Sequence, residues 1–217
     1  RLMEQDPARR WAADGRGYQL PFGGAKVMVE IRDETAKIDL NAAAPALLSG
    51  LFVELGEPRE RAERLAGAIV DWRDPDNLSQ PVGGAEDPAY ASAGLAWGAK
   101  DAPFDSVAEL EQVLGMRPAL YAAAAPYLTM YSGNATPDAN IADGIVLAAM
   151  GLQPRAAPID PDAPPASPGS GTYSIDSRAR LPDGRSAHLS VVLRMGGNAL
   201  PGSTYTPLRW QAGSDPR

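Results

Sequence analysis

Strand-like sequence stands at both ends of this chain and helix-like sequence fills its middle, which leaves few architectures open. From Tyr18 the pattern takes a period of two. Val27, Val29 and Ile31 face one way and Lys26, Met28, Glu30 and Arg32 the other, as in a half-buried strand. Asp33-Glu34-Thr35-Ala36-Lys37 reads as a hairpin-like turn, with Ile38-Asp39-Leu40 returning. Strand segments recur at 173–179, 187–195 and 205–210, and Asp183-Gly184 is a hairpin signal between the first two. In the middle, Asn41 stands as an N-cap before Leu47, Leu48, Leu51, Phe52 and Leu55 at helical spacing, with Gly56 ending the run. Residues 59–72 form a second helix with Ala62, Leu65, Ile69 and Trp72 on one face. Ser106 and Glu109 have capping-box spacing for a helix closed by Gly115-Met116, and further helical segments lie near 118–130 and 140–151. The expected class is therefore α+β: an antiparallel sheet assembled from 1–40 and 172–217, carrying a large inserted α-helical domain at 41–152. Residues 153–171, rich in Pro, Ala, Gly and Ser without periodicity, read as a linker. Residues 1–11 read as the end of a helix stopped by Asp14-Gly15, with mid-helix chemistry at Arg1-Leu2-Met3-Glu4 and an upstream segment cut away.

Composition removes several functions. A net charge of −7 argues against binding a phosphate backbone, so nucleic acid is not an expected partner. Without cysteine, neither disulfides nor thiolate–metal chemistry is available. No apolar run approaches the ~18 residues of a membrane helix, and no signal peptide is present. No phosphate-cradling glycine motif and no nucleophile elbow occur, and the single histidine, His188, falls inside an expected strand. A non-catalytic protein is the expectation.

The densest chemistry follows the helix end Ile69-Val70-Asp71-Trp72-Arg73. There Asp74, Asp76, Asn77, Glu86 and Asp87 crowd into fourteen residues, on a loop bent by Pro and Gly. Hard oxygens with no His or Cys among them suit Ca²⁺, which takes six to eight oxygen ligands in irregular geometry. The same residue types also make ordinary solvated turns, and composition alone favours that reading over the cation site. Trp72, Tyr90 and Trp97 are expected to anchor this loop hydrophobically. A second oxygen-rich segment, Asn134 to Asn140, could add cation ligands or simply cap the helix from Ile141.

Ile38-Asp39-Leu40-Asn41-Ala42-Ala43 is echoed by Asp138-Ala139-Asn140-Ile141-Ala142, each before an apolar helix, in the manner of helix-hairpin-helix modules. Such modules often grip DNA backbone with basic residues. Lys100 is the sole lysine inside 41–152, so the echo reads as scaffold.

Several segments stand together in an order that resembles the type II secretion system minor pseudopilin K family (general secretion pathway protein K). They are Val27 to Glu34, Lys37-Ile38-Asp39-Leu40-Asn41, Ala68 to Asp74, Gly84-Ala85-Glu86-Asp87-Pro88-Ala89-Tyr90, and Phe104 to Met116. The resemblance covers about 20–150 well and the C-terminal strands more loosely. It implies a pilin-like sheet with an inserted helical domain of helix-hairpin-helix (SAM-like) type. It also implies a structural Ca²⁺ ion, and a place at the pseudopilus tip beside minor pseudopilins I and J, near the secreted substrate or the outer-membrane secretin. Family members are anchored as single-pass proteins in the bacterial inner membrane by a hydrophobic N-terminal helix, with this region in the periplasm. That helix is not in this sequence, and the stretch after Met150 is short and Pro-rich where relatives carry more helix. A type IV pilus minor pilin, or a calcium-dependent adhesive module, is the alternative from the same pattern.

Overall fold

The computed structural model describes residues 10–154, 169–196 and 204–215. The expected helix end at 1–9 and most of the expected linker lie outside the described residues. The chain falls into two compact units, residues 1–36 with 157–217, and residues 37–156.

The first unit is an antiparallel sheet. Its strands are β1 (Asp14–Phe22), β2 (Ala25–Asp33), β5 (Thr172–Arg180), β6 (Ser186–Met195) and β7 (Tyr205–Asp215), in the spatial order β1-β2-β5-β6-β7. β1 and β2 were expected as one strand from Tyr18. They are instead a hairpin, because Gly23 and Gly24 both take positive φ (56° and 81°), the two-residue turn whose twist matches its strands. Ile31, Ile175 and Val191 lie side by side in register across β2, β5 and β6, and Ile31 and Val191 are buried. At the start of β1, Trp11 stacks on Tyr18 with ring centroids 4.5 Å apart, and the Ala12 N–H donates to the Tyr18 hydroxyl at 2.6 Å.

Asp33 closes this unit. The expected hairpin-like turn at 33–37 is a 3-10 turn over Glu34–Ala36, and Ile38-Asp39 does not return into the sheet. Those two residues form β3 of the second unit, paired parallel with β4 (Leu128–Thr129). The Asp33 carboxylate is buried and accepts from Thr35 N (2.9 Å), Thr35 Oγ1 (2.7 Å), Ser170 N (2.6 Å) and Ser170 Oγ (2.6 Å). One side chain thereby fastens the end of β2 to the segment entering β5, where the chain leaves the sheet and comes back.

The second unit is built on α1 (Pro45–Glu54), α2 (Arg59–Arg73), α3 (Asp87–Ser92), α4 (Pro118–Ala124) and α5 (Gly144–Ala149). α1 packs on both α2 and α5, and Gly50 lets α1 approach the Ala149 carbonyl where a Cβ would collide. Leu48, Leu51, Phe52, Leu65, Ile69, Trp72, Tyr90 and Phe104 share one core. Each such side chain contributes roughly 1.5–3 kcal/mol by leaving water.

Two expected helix starts move, and a third keeps its Ser106 cap but changes helix type. Asn41 does not cap α1, which opens at Pro45. Its amide instead pairs with the Phe104 backbone, accepting from Phe104 N (2.7 Å) and donating to Phe104 O (3.0 Å). The helix after Ser106 is a 3-10 helix, Val107–Gln112. There Ser106 Oγ accepts from Ala108 N, while Glu109 reaches back to Asp105 N, so the box is displaced by one residue. The last helix is capped by Asp143, which accepts from Ile145 N at 3.0 Å. The echo of 38–43 in 138–142 is a real structural repeat. In both copies the Asn N–H donates to the preceding Asp Oδ1 at 2.9 Å, and the next two N–H groups donate to that Asp carbonyl.

Candidate metal centre

The acidic loop is held by a residue one turn inside α2. Asp71 is fully buried, and its carboxylate accepts from Ala85 N at 2.6 Å and Gln80 N at 3.1 Å. The returning strand of loop lies so close to α2 that a Cβ at Gly84 would stand 2.5 Å from Asp71 Oδ2, and one at Gly67 would strike the Val82 carbonyl. Small residues at 67 and 84 are therefore a condition of the loop's path. Burial raises the Asp71 pKa; the two backbone hydrogen bonds work against that rise, and the Asp74 and Asp76 charges add to it.

That path brings Asp74, Asp76 and Glu86 together, with one carboxylate oxygen of each within 4.8 Å of the others. Asp74 is half-buried, Asp76 exposed and Glu86 buried. Asp74 Oδ1 and Glu86 Oε1 are shielded from solvent and meet no donor. Burial, then the charges of Asp71, Asp101, Asp74 and Asp76, push the Glu86 carboxyl up to about 7. Asp76 also turns its loop, accepting from Leu78 N at 2.8 Å.

Of the five expected ligands, Asp87 is not in the cluster. It is the first residue of α3, with its Oδ1 lying over Gly98, because the helix start swings it away from Glu86. Asn77 is exposed on the loop. Asp101 was missed. It adopts φ 53°, alone among described non-glycine residues in being positive, and its buried Oδ1 has no partner. Neither property has a sequence signal, since Lys100-Asp101-Ala102-Pro103 reads as an ordinary turn.

Trp72 packs against Tyr90 and Phe104, both ring pairs at 6.2 Å. Trp97 is exposed and donates to the Gln112 carbonyl at 3.1 Å, so it sits apart from the loop's apolar anchor. Burial pushes the Tyr90 hydroxyl up to about 12. Its oxygen accepts from Leu114 N. The Asn134–Asn140 segment is occupied by its own turn, with Asp138 Oδ1 bound to the Asn140 backbone and side-chain nitrogens, both at 2.9 Å. Among the described residues no second group of acidic side chains converges. His188 is exposed and pairs with Asp176 at 3.2 Å.

Solvent-shielded carboxylate oxygens without donors, all hard and all on one loop, fit a Ca²⁺ ion. A proton is the competing occupant. Because the folded-state pKa of Glu86 lies near 7 and its ordinary value is 4.5, the folded protein holds a proton that the unfolded chain has released between those values. Stability in chelator should be greatest below about pH 4.5 and fall as pH rises through about 7, by at most about 3 kcal/mol. Urea unfolding across that range measures this, and Glu86→Gln should flatten the slope. A curve rising with pH through the same window would refute the assignment.

The family profile described as "Type II secretion system (T2SS), protein K" matches residues 28–133. The chain is 32% identical over 135 residues to the type II secretion system protein K of Klebsiella pneumoniae, covering 56% of this chain and 40% of that protein. It is 28% identical over 127 residues to the protein of the same name from Pectobacterium carotovorum subsp. carotovorum, covering 52% of this chain and 38% of the relative. The chain thus spans about two-fifths of the length of these curated relatives. Its fold is similar to a chain of the GspK-GspI-GspJ complex from the enterotoxigenic Escherichia coli Type 2 Secretion System. The TM-score is 0.64 at 21% identity, over 91% of this chain and 83% of that one. No helix among the described residues is long and apolar enough to cross a membrane.

Proposed function

Residues 28–133 belong to the type II secretion system protein K family, and from that premise we propose that this chain is the periplasmic part of a structural minor pseudopilin. It sits at the tip of the secretion pseudopilus, in a heteromeric complex with minor pseudopilins I and J, and supports protein export across the outer membrane. The full protein is held in the inner membrane by an apolar N-terminal helix. The observation that carries this reading is the fold shared with a chain solved in a GspK-GspI-GspJ complex. The physics of the insertion supports the tip position. A helical unit of residues 37–156 inserted in the chain between β2 and β5 adds bulk to every subunit that an identical stack would have to accommodate, so an open-ended homopolymer is disfavoured. The role is non-catalytic. The lone histidine is exposed and its ring nitrogen pairs with Asp176, and among the described residues no nucleophile–base pair is built on it. Co-expression with tagged I and J ectodomains tests the assignment: this chain should elute with them, and its consistent absence from the eluate would refute it.

We further propose that Asp74, Asp76 and Glu86 hold a structural Ca²⁺, with Asp101 beside them. The ion would replace the proton on Glu86 and cancel the repulsion among these groups. Because it binds the folded form alone, Ca²⁺ at about a hundred times its dissociation constant should add about 2.7 kcal/mol. Thermal melts in Ca²⁺ and in chelator measure this. Superimposable melts, with metal analysis confirming that the chelated sample is ion-free, would count against the site.

A further inference from the structure

Two neighbouring hairpins form one end of the sheet, and their chemistry differs from the rest of the molecule. The first turns through Phe22-Gly23-Gly24-Ala25, the second through Leu181 to Arg185, where Gly184 N donates to the Leu181 carbonyl and Leu181 N to the Arg185 carbonyl. They are adjacent because β2 pairs with β5, with Lys26 directly opposite Arg180 and Met28 opposite Arg178. Both tips are open, since beyond the adjoining residues no heavy atom lies within 4 Å of where a Cβ would stand at Gly23, Gly24 or Gly184. Phe22 is 76% exposed at the first tip.

Behind the tips the charge is basic. Lys26, Arg178 and Arg180 share one face of β2 and β5 and are all exposed. Among the described residues none of these three has an acidic partner. Arg185 flanks them, tied to Asp183 at 2.8 Å. Their cross-strand neighbours on that face are Pro21, Met28, Ser186 and His188. The acidic residues of this end are Asp183, tied to Arg185, and Asp215, which stands across from Ser186 two strands from Arg180. Glu30 and Asp176 follow one row beyond Met28 and Arg178. Lys26 directly across from Arg180 sets like charges opposite each other, an arrangement that disfavours the pairing and that a bound anion would relieve. The chain as a whole carries −7, so this end is a local reversal of sign.

We infer that this hairpin end docks onto a bilayer surface bearing anionic phospholipid headgroups. An aromatic side chain on a projecting turn, backed by unpaired cations at one level, matches an interface with apolar acyl chains beneath a layer of phosphates. Phe22 enters the headgroup boundary while Lys26, Arg178 and Arg180 meet phosphate. A soluble acidic protein would complement the cations, but it would leave Phe22 without an apolar counterpart. This inference stands apart from the pseudopilus assignment and uses none of the acidic-loop residues.

The 217-residue chain, floated with vesicles of phosphatidylcholine containing about one-third phosphatidylglycerol, provides the test. At low salt the chain should float with these vesicles and not with phosphatidylcholine alone, and about 0.5 M salt should release it. The double substitution Lys26→Glu with Arg180→Glu should reduce binding at least tenfold, and Phe22→Ser severalfold. The milder Arg178→Gln with Arg180→Gln serves if charge reversal disturbs folding, as judged by circular dichroism. Equal binding to both vesicle types, no binding at low salt, or unchanged binding by correctly folded variants would each overturn the inference. So would self-association in solution that these variants abolish, since a second copy would then own the surface.

Discussion

Replacing Asp33 with alanine is expected to destabilise the sheet unit by about 3–5 kcal/mol. The carboxylate is buried and takes four hydrogen bonds from Thr35 and Ser170, at 2.6–2.9 Å. A lone unsatisfied buried donor costs about 1–3 kcal/mol, and here several lose their acceptor together. Asp33→Asn keeps one oxygen and should lose about half as much. With two compact units a single unfolding transition is not assured, so the better readout is local. Amide exchange in β2 and β5 should accelerate together in Asp33→Ala. A change below about 1 kcal/mol would mean that water or a neighbour replaces the carboxylate, and that the clamp is not structural.

Asp71→Ala is the second large effect, at about 3 kcal/mol, with loss of the calcium response. Its removal strips the acceptor from Ala85 N and Gln80 N and leaves a void under the loop. Relief of repulsion against Glu86 offsets part of the loss, because the Asp71 charge helps raise that pKa. Free of the clamp, Asp74 and Glu86 no longer converge, so Ca²⁺ should shift the melting temperature of the variant far less than that of the parent. A variant that is destabilised yet keeps the full calcium shift would show that the loop needs no anchor at Asp71.

What could be read from the residues divides by range. Alternation at Val27, Val29 and Ile31 needs only local geometry, and all three residues lie in β2. The Gly-Gly hairpin was also local, but the period-two pattern continues on both sides of it and hid the turn. Asn41 is a good cap by composition, yet its amide is used by Phe104, 63 residues away, and a partner at that distance leaves no local trace. The acidic loop shows the same division. Asp74, Asp76 and Glu86 were evident as a concentration of oxygens, while the direction of Asp87 depended on where α3 began. Asp101 depended on one backbone angle. Asp71, which holds the loop, looked like part of a helix end, because burial of a charge is invisible until the loop closes over it.

A pseudopilin of this kind is expected to act in a mixed complex with its partners. Light scattering of this 22.8 kDa chain mixed with purified ectodomains of pseudopilins I and J, in Ca²⁺, should return the mass of a complex with one copy of each. The buried interfaces should be of standard size, roughly 1,200–2,000 Å². Three independent monomers at tens of micromolar, or a stable homodimer of this chain in place of the mixed complex, would contradict it.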